Sequence, residues 1–391
     1  MAGNGARLTI VQYAGDFRED VQRLAGGGAE NYRAQRYTND YIQSLAGRLD
    51  SVSIIVGVTR EPYDTVLPSG VRAIGAGFKS AFDGRAVRSL VESTRPDLLV
   101  LRVPSRPLML WAMRHRVRTL MLLADSFNPT SFKSRVQHRL LGLMLKAPMF
   151  DVVANHGRRA ARQLVDLGVD PAKVVAWDYP AFNSPDQRPA KSAAGSPGHL
   201  LYVGLLIAPK GVDDVIEAVR LLHAQGRPVT LDLIGRGDAD RIARLIRDAG
   251  LQDHVRLVGL VPNSEIIDRM AQADLVLVAS RHTYAEGMPL TIYETYCSRT
   301  PLVASDHPMF RENVVDGVSG LVFPAGDSAA LAERIARALS DPRLYAALSQ
   351  NGAAAWEQLQ IPAKWHELID RWIDDDEQSR AWLRDHSLAA Q

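Results

Sequence analysis

Cysteine is almost missing from this chain: Cys297 is the single one in 391 residues, which excludes an intrachain disulfide. Long apolar runs are missing too. The most apolar stretch, LLGLMLKAPMFDVVA, is cut by Lys146 and Pro148, and nothing approaches the ~20 apolar residues that a membrane span requires. The amino terminus, MAGNGARLTI, has no basic region followed by an apolar core, so it does not read as a signal peptide, and the expected location is the cytoplasm. Lysine is scarce, at seven of 46 basic residues. Acid is scarce in one place: residues 102–146 hold nine Lys/Arg and only Asp125 against them. The overall charge of +2 therefore hides an imbalance. Residues 1–180 hold 25 Lys/Arg and 16 Asp/Glu, and the remainder holds 21 and 28. The first half is expected to favour an anionic partner.

What is present is an alternation of β-rich runs and amphipathic stretches. RLTIVQYAG reads as a strand; the Gly-rich GGGAE leads into the helical ENYRAQRYTNDYIQSLAGRL; SVSIIVGVT, DLLVLRV, TLMLLA and DVVAN are further strands. Residues 181–199, AFNSPDQRPAKSAAGSPGH, have the composition of an interdomain linker. The alternation then restarts with HLLYVGLL and continues through VTLDLIG, HVRLVGL, DLVLVAS, PLVAS and GLVFPA, with helical segments between them. This predicts an α/β protein of two doubly wound, Rossmann-like parallel-sheet domains. The expected boundaries are 1–180 for the first domain, 181–199 for the linker and 200–355 for the second domain. Residues 356–391 are expected to form a helical tail, broken at Pro362 and crossing back to the first domain.

AEGMPLTIYE, residues 285–294, carries Glu286 and Glu294 on either side of Gly-Met-Pro. It follows the strand DLVLVAS, and Pro289 suits a first helical turn, where its missing N–H has no intrahelical acceptor. Gly287 permits close backbone approach. The N–H groups around Met288, Leu290 and Thr291 would then form an anion site at the positive end of the helix, suited to a diphosphate. Glu294 lies five residues beyond Pro289, roughly 7–8 Å along the axis. One carboxylate can reach past the terminal phosphate, and the other can accept from a vicinal diol such as a ribose. A capping glutamate and a solvated helix glutamate fit this window equally well.

Five blocks extend the pattern: LYVGLLIAPKGVDDVIEA, LDLIGRGD, VRLVGLVPNSEIIDRMAQADLVLVAS, AEGMPLTIYE and ENVVDGVSGLVFPAGD. In order and spacing over residues 199–345 they resemble the retaining glycosyltransferases of family 4, which have the GT-B fold. The first half is similar more loosely, through the Gly-rich loop and DVVANHGRRAARQLVDLGVDPAKVV. The resemblance implies that Glu294 binds the nucleotide ribose and Glu286 the donor sugar. Gly204, Gly287, Met288, Pro289 and Leu290 would border the diphosphate, with Lys210 neutralising it as its bond to the sugar breaks. Gly27 and Gly28 would approach donor and acceptor from the other domain. It also implies no cofactor and no metal; Asp213 and Asp214 are adjacent and do not form an Asp-x-Asp pair. The sequence departs from the family twice. Leu205 stands where Arg is typical, for which Arg281 is a candidate substitute, and Asp125 stands where His is usual.

The expected reaction is sugar transfer from a nucleotide-diphosphate donor to a glycan or lipid-linked acceptor. The alternatives are a catalytically silent nucleotide- or glycan-binding relative and a nucleotide-sugar epimerase of the same fold. GRGDAD lacks the third glycine of a dinucleotide fingerprint. His254, His282 and His307 have no metal-type spacing and are expected at the surface or in loops, and Cys297 is expected to be a small buried residue. Segment 102–146 mixes Arg/Lys with Leu, Met, Trp and Phe. It reads either as helices with solvated basic faces or as a docking surface for an anionic membrane. No recognition motif supports nucleic-acid binding.

Overall fold

The computed structural model describes residues 5–31, 33–127, 129, 131–287 and 290–391. The chain divides into two compact units. One comprises Met1–Glu30, Ala34–Pro180 and Ile361–Gln391; the other comprises Asn31–Arg33 and Ala181–Gln360.

The first unit runs β1 (Arg7–Ala14), α1 (Phe17–Ala25), α2 (Gln35–Ser44), β2 (Ser51–Val58), β3 (Pro62–Val66), β4 (Arg72–Phe78) and α3 (Gly84–Thr94). It continues through β5 (Leu98–Leu101), α4 (Arg106–His115), β6 (Arg118–Leu123), α5 (Phe132–Leu145), β7 (Val152–His156), α6 (Arg158–Asp166) and β8 (Val174–Trp177). Among the described residues its eight strands lie in the order β3-β4-β2-β1-β5-β6-β7-β8, all parallel except the β3–β4 hairpin. β5, β7 and β8 are buried along their whole length, as the unbroken apolar runs of a sheet covered on both faces require. The hairpin is absent from the sequence reading because PYDTV, half exposed in alternation, carries little apolar signal. Pro62 is tolerated there because β3 is an edge strand.

The second unit runs β9 (Gly198–Val203), α7 (Val212–Ala224), β10 (Val229–Ile234), α8 (Ala239–Asp248), β11 (Val255–Gly259), α9 (Asn263–Gln272) and β12 (Leu275–Val278). Then come α10 (Leu290–Ser298), β13 (Leu302–Ser305), β14 (Leu321–Phe323), α11 (Ser328–Ser340) and α12 (Pro342–Leu359). Among the described residues its six strands are all parallel, in the order β11-β10-β9-β12-β13-β14. The chain winds outward in both directions from β9 and β12. The crevice beyond their carboxyl ends is the topological switch point, where open α/β sheets bind ligands.

Residues 181–199, expected as a linker, group with the second unit. Arg188 pairs with Asp268 at 2.5 Å, the Lys191 and Gly195 N–H groups donate to Ser349 and Asp274, and Gly198–His199 already belong to β9. The Pro- and Ser-rich composition reflects irregular backbone whose polar groups are satisfied by distant partners in the same unit. The passage back to the first unit falls after Gln360. There α13 (Trp365–Asp374) and α14 (Glu377–Asp385) follow. Trp365 lies edge-on to Tyr41 at 5.3 Å, and the Trp372 indole donates to Asp151 at 2.9 Å.

Candidate active site

The site is built where β9 and β12 end. Gly211 has φ +76°, and a Cβ there would lie 1.9 Å from the Ala279 carbonyl oxygen. Only glycine lets the β9–α7 turn close on the end of β12. The Arg281 N–H donates to the Pro209 carbonyl at 2.9 Å across the same contact. This closure brings Lys210 to Glu286: Nζ lies 2.5 Å from Oε1, the Ser280 hydroxyl donates to the same oxygen at 2.5 Å, and the ammonium stands 4.6 Å from the Tyr284 ring centre. Glu286 is 5% exposed. Burial of a carboxylate is costly unless it is paired; the ammonium and the hydroxyl meet that requirement, and the ring faces the ammonium rather than the carboxylate.

Glu294 is also buried, about one turn into α10. The Asn263 amide donates to it at 3.1 Å. Burial pushes its carboxyl up from 4.5 to about 6, against the opposing pull of Asn263 and the charge of Arg33. Gly204 and Leu205 form the turn after β9, Gly287 precedes α10, and Leu290 is its first residue. Met288 and Pro289 lie outside the described residues.

Arg281, considered as a substitute cation, is committed elsewhere. Its guanidinium grips the buried Asp214 carboxylate with two hydrogen bonds, at 2.8 and 2.6 Å. An acid in the first turn of α7 thus takes up the charge that a diphosphate would use. His307, expected at the surface or in a loop, lies in the loop after β13 and is 0% exposed. Its Nε2–H donates to the Tyr284 carbonyl at 3.1 Å, and its Nδ1 accepts from the Met309 N–H at 3.2 Å. Burial lowers its pKa, so it acts as a neutral strut that fixes the backbone of Tyr284. Asn263, and the part His307 plays beside Tyr284, have no signature at short range in the sequence; both are defined by partners distant along the chain. His282, by contrast, is exposed and pairs with Asp306 at 2.8 Å, and Cys297 is buried.

Three candidate residues belong to the first unit. Asp125 follows β6; burial raises its carboxyl pKa, and its carbonyl accepts from the Asn155 amide at 2.9 Å. Gly27 and Gly28 follow a helix, α1, that the sequence reading did not contain. Gly28 donates to the Arg23 carbonyl at 2.8 Å, and a Cβ on it would lie 2.6 Å from the Arg23 side chain. The glycine is therefore required by the folding-back of the chain on the last turn of α1. Gly27, at φ +82°, has nothing within 4 Å of a Cβ position.

Solved structures share this architecture. Anabaena Alr3699/HepE, solved in complex with UDP, superposes with a TM-score of 0.62 at 16% identity, over 90% of this chain and 95% of that one. The fold is GT-B, two parallel-sheet α/β domains. More particularly, residues 183–355 match the family described as Glycosyl transferases group 1. Among curated relatives, the alpha-D-kanosaminyltransferase of Streptomyces kanamyceticus is 30% identical over 67% of this chain, though the match spans only 62% of that relative's length. The phosphatidyl-myo-inositol mannosyltransferase of Mycobacterium leprae is 28% identical over 88% of this chain and 90% of its own.

Proposed function

We propose that the protein is a retaining glycosyltransferase of the family 4 type, which moves a sugar from a nucleotide-diphosphate donor to a glycan or lipid-linked acceptor. The observation that carries this reading is the cluster of Lys210, Glu286 and Ser280 at the switch point of the second sheet, with Glu294 on the adjoining helix. When the bond from the anomeric carbon to the diphosphate oxygen breaks, the electron pair stays on the phosphate. Lys210 and the amino end of α10 stabilise that developing charge, which is larger in the transition state than in the bound donor. Glu294 accepts from the ribose hydroxyls, and Glu286 positions Lys210 and meets the donor sugar. Lys210 and the helix end place positive charge at the leaving group without a metal. The names of the two curated relatives favour a sugar-transfer reaction, and that of the mycobacterial one favours a lipid-linked acceptor.

The test is a panel of nucleotide-sugars with and without lipid-linked acceptors, in the presence of a chelator. A transferase releases nucleoside diphosphate and leaves the sugar on the acceptor. An epimerase changes the sugar with the nucleotide still attached, and a binding protein does neither; either result refutes the reading.

The first unit favours work at the cytoplasmic face of an anionic membrane. Leu141 and Leu145 of α5 are buried. On the opposite side Phe132, Val136, Leu140 and Leu143 are exposed, Phe132 by 78%, and their spacing of four, four and three residues aligns them in one stripe. Arg135, Arg139 and Lys146 border that stripe on one edge and Lys133 on the other. Arg106 donates to the Gln137 carbonyl, tying α4 to α5, and a concavity beside α4 is lined by Arg85, Arg88, Arg106 and Arg114 with one acid, Glu92, which pairs with Arg88 at 3.4 Å. An apolar ridge between cations suits the headgroup boundary of anionic lipids. Among the described residues no helix is long and apolar enough to cross a membrane.

A further inference from the structure

The turns after β9 and β10 run side by side beyond the sheet. Val203 lies opposite Ile234 in parallel register, and pairing resumes with Leu206 opposite Gly237. The Gly204 N–H donates to the Ile234 carbonyl at 3.0 Å and the Leu206 N–H to the Arg236 carbonyl at 2.9 Å. Leu205 therefore stands opposite Arg236, about 5 Å away across the strand spacing. A Cβ on Gly235 would lie 1.7 Å from the Gly204 carbonyl oxygen, and one on Gly237 2.5 Å from that of Leu206. This close approach dictates both glycines of Gly235-Arg236-Gly237, and Arg236 is the side chain that the turn presents.

A diphosphate leaving group carries more than one negative charge, while the cations around the crevice are largely spent. Lys210 contacts Glu286, Arg281 is held by Asp214, Arg241 by Asp213 at 2.9 Å, and His282 by Asp306. Arg236 is exposed, and no ion pair or side-chain hydrogen bond is recorded for it among the described residues. We infer that Arg236 supplies the second cation to the donor diphosphate, from across the strand pair that leaves leucine at position 205. The inference rests on the nucleotide-sugar reading above. It also explains how the site tolerates an apolar residue at the end of its central strand.

The experiment measures binding of UDP, GDP, ADP and dTDP by thermal shift, then of the tightest of these and its monophosphate by calorimetry. Arg236→Gln is expected to weaken the diphosphate about 10- to 100-fold, the worth of one charge-assisted hydrogen bond or slightly more, with a smaller loss for the monophosphate. Leu205→Arg in the Arg236→Gln background is expected to restore most of the diphosphate affinity, because the two positions face each other. Unchanged affinity in Arg236→Gln, with Lys210→Ala weakened, overturns this inference and leaves the nucleotide-sugar reading standing. A loss that Leu205→Arg does not restore overturns the placement of the guanidinium at the diphosphate. Wild-type protein that binds none of the four overturns both readings.

Discussion

At the carboxyl ends of β9, β12 and β13 the charged side chains answer one another, whereas on the α4–α5 face of the first unit they stand unpaired. Lys210 meets Glu286, Arg281 meets Asp214 and His282 meets Asp306. For Arg114, Arg116, Lys133, Arg135 and Arg139 no ion pair is recorded among the described residues, and all five are exposed. The difference has a physical consequence. The Lys210–Glu286 pair is largely buried, fixed before a ligand arrives and little affected by salt, while the half-exposed Arg281 and His282 are held in place by their acidic partners. Exposed cations stay hydrated, are screened over ~8–10 Å, and attract whatever anionic surface is nearby. Arg118 belongs with the paired set despite its place in the basic segment, since it bridges Asp151 and Asp375 at 2.6 and 3.3 Å.

Breaking the paired region should have the largest effect. Lys210→Ala is expected to lower nucleoside diphosphate release by about 100- to 1,000-fold, the usual worth of one transition-state donor. The same change leaves Glu286 buried with only Ser280 as a partner, so the melting temperature should fall too. Lys210→Ala with Glu286→Gln should recover the melting temperature and none of the turnover. Recovery of turnover in the double variant would mean that Lys210 acts only as a counter-ion.

Next in size is Glu294. Its folded pKa of about 6 lies above the usual 4.5, so the fold favours the protonated carboxyl. That contribution is complete below pH 4.5 and is lost as pH rises through 6, a difference of about 2 kcal/mol. Glu294→Gln is therefore expected to raise the melting temperature at pH 8 and to change it little at pH 4. At pH 8 nucleoside diphosphate affinity should drop about 10- to 100-fold. Stability gained together with affinity lost marks a ligand-binding carboxylate; unchanged affinity by calorimetry removes Glu294 from the site.

The unpaired region gives a graded response. Replacing Arg114, Arg116, Arg135 and Arg139 with Ser should cut partitioning onto anionic vesicles by at least about 10-fold, at ~1 kcal/mol per cation near the surface. High salt should mimic the change, and sedimentation that is indifferent to both would return this face to bulk solvent. The smallest effect is expected from Leu205→Arg alone. With Arg236 across the strand pair, diphosphate affinity should move by less than about threefold; a large gain would show that the second cation had been missing.

The alternation of strands and helices, the Glu286–Glu294 spacing and the basic segment were legible because each is read within one element or between neighbours in sequence. Two doubly wound sheets follow from that alternation, and the Gly-Met-Pro junction marked the amino end of α10. The β3–β4 hairpin, α1 ahead of the Gly-rich loop and the packing of residues 181–199 against the second unit were not legible. Their apolar signal is weak, and their polar groups are satisfied by distant partners.

The sequence by itself determined which residue types stand at the ends of the strands: a lysine after β9, two glutamates around α10, an arginine between two glycines after β10. Only the tertiary structure decided which of those charges are spent. Asp214 lies 67 positions from the Arg281 it neutralises, and Asn263 lies 31 from the Glu294 it supports. The facing of Leu205 and Arg236 is a matter of strand order and register. Spacing along a chain fixes which groups share an element, but the pairing of charges depends on which elements the sheet sets side by side.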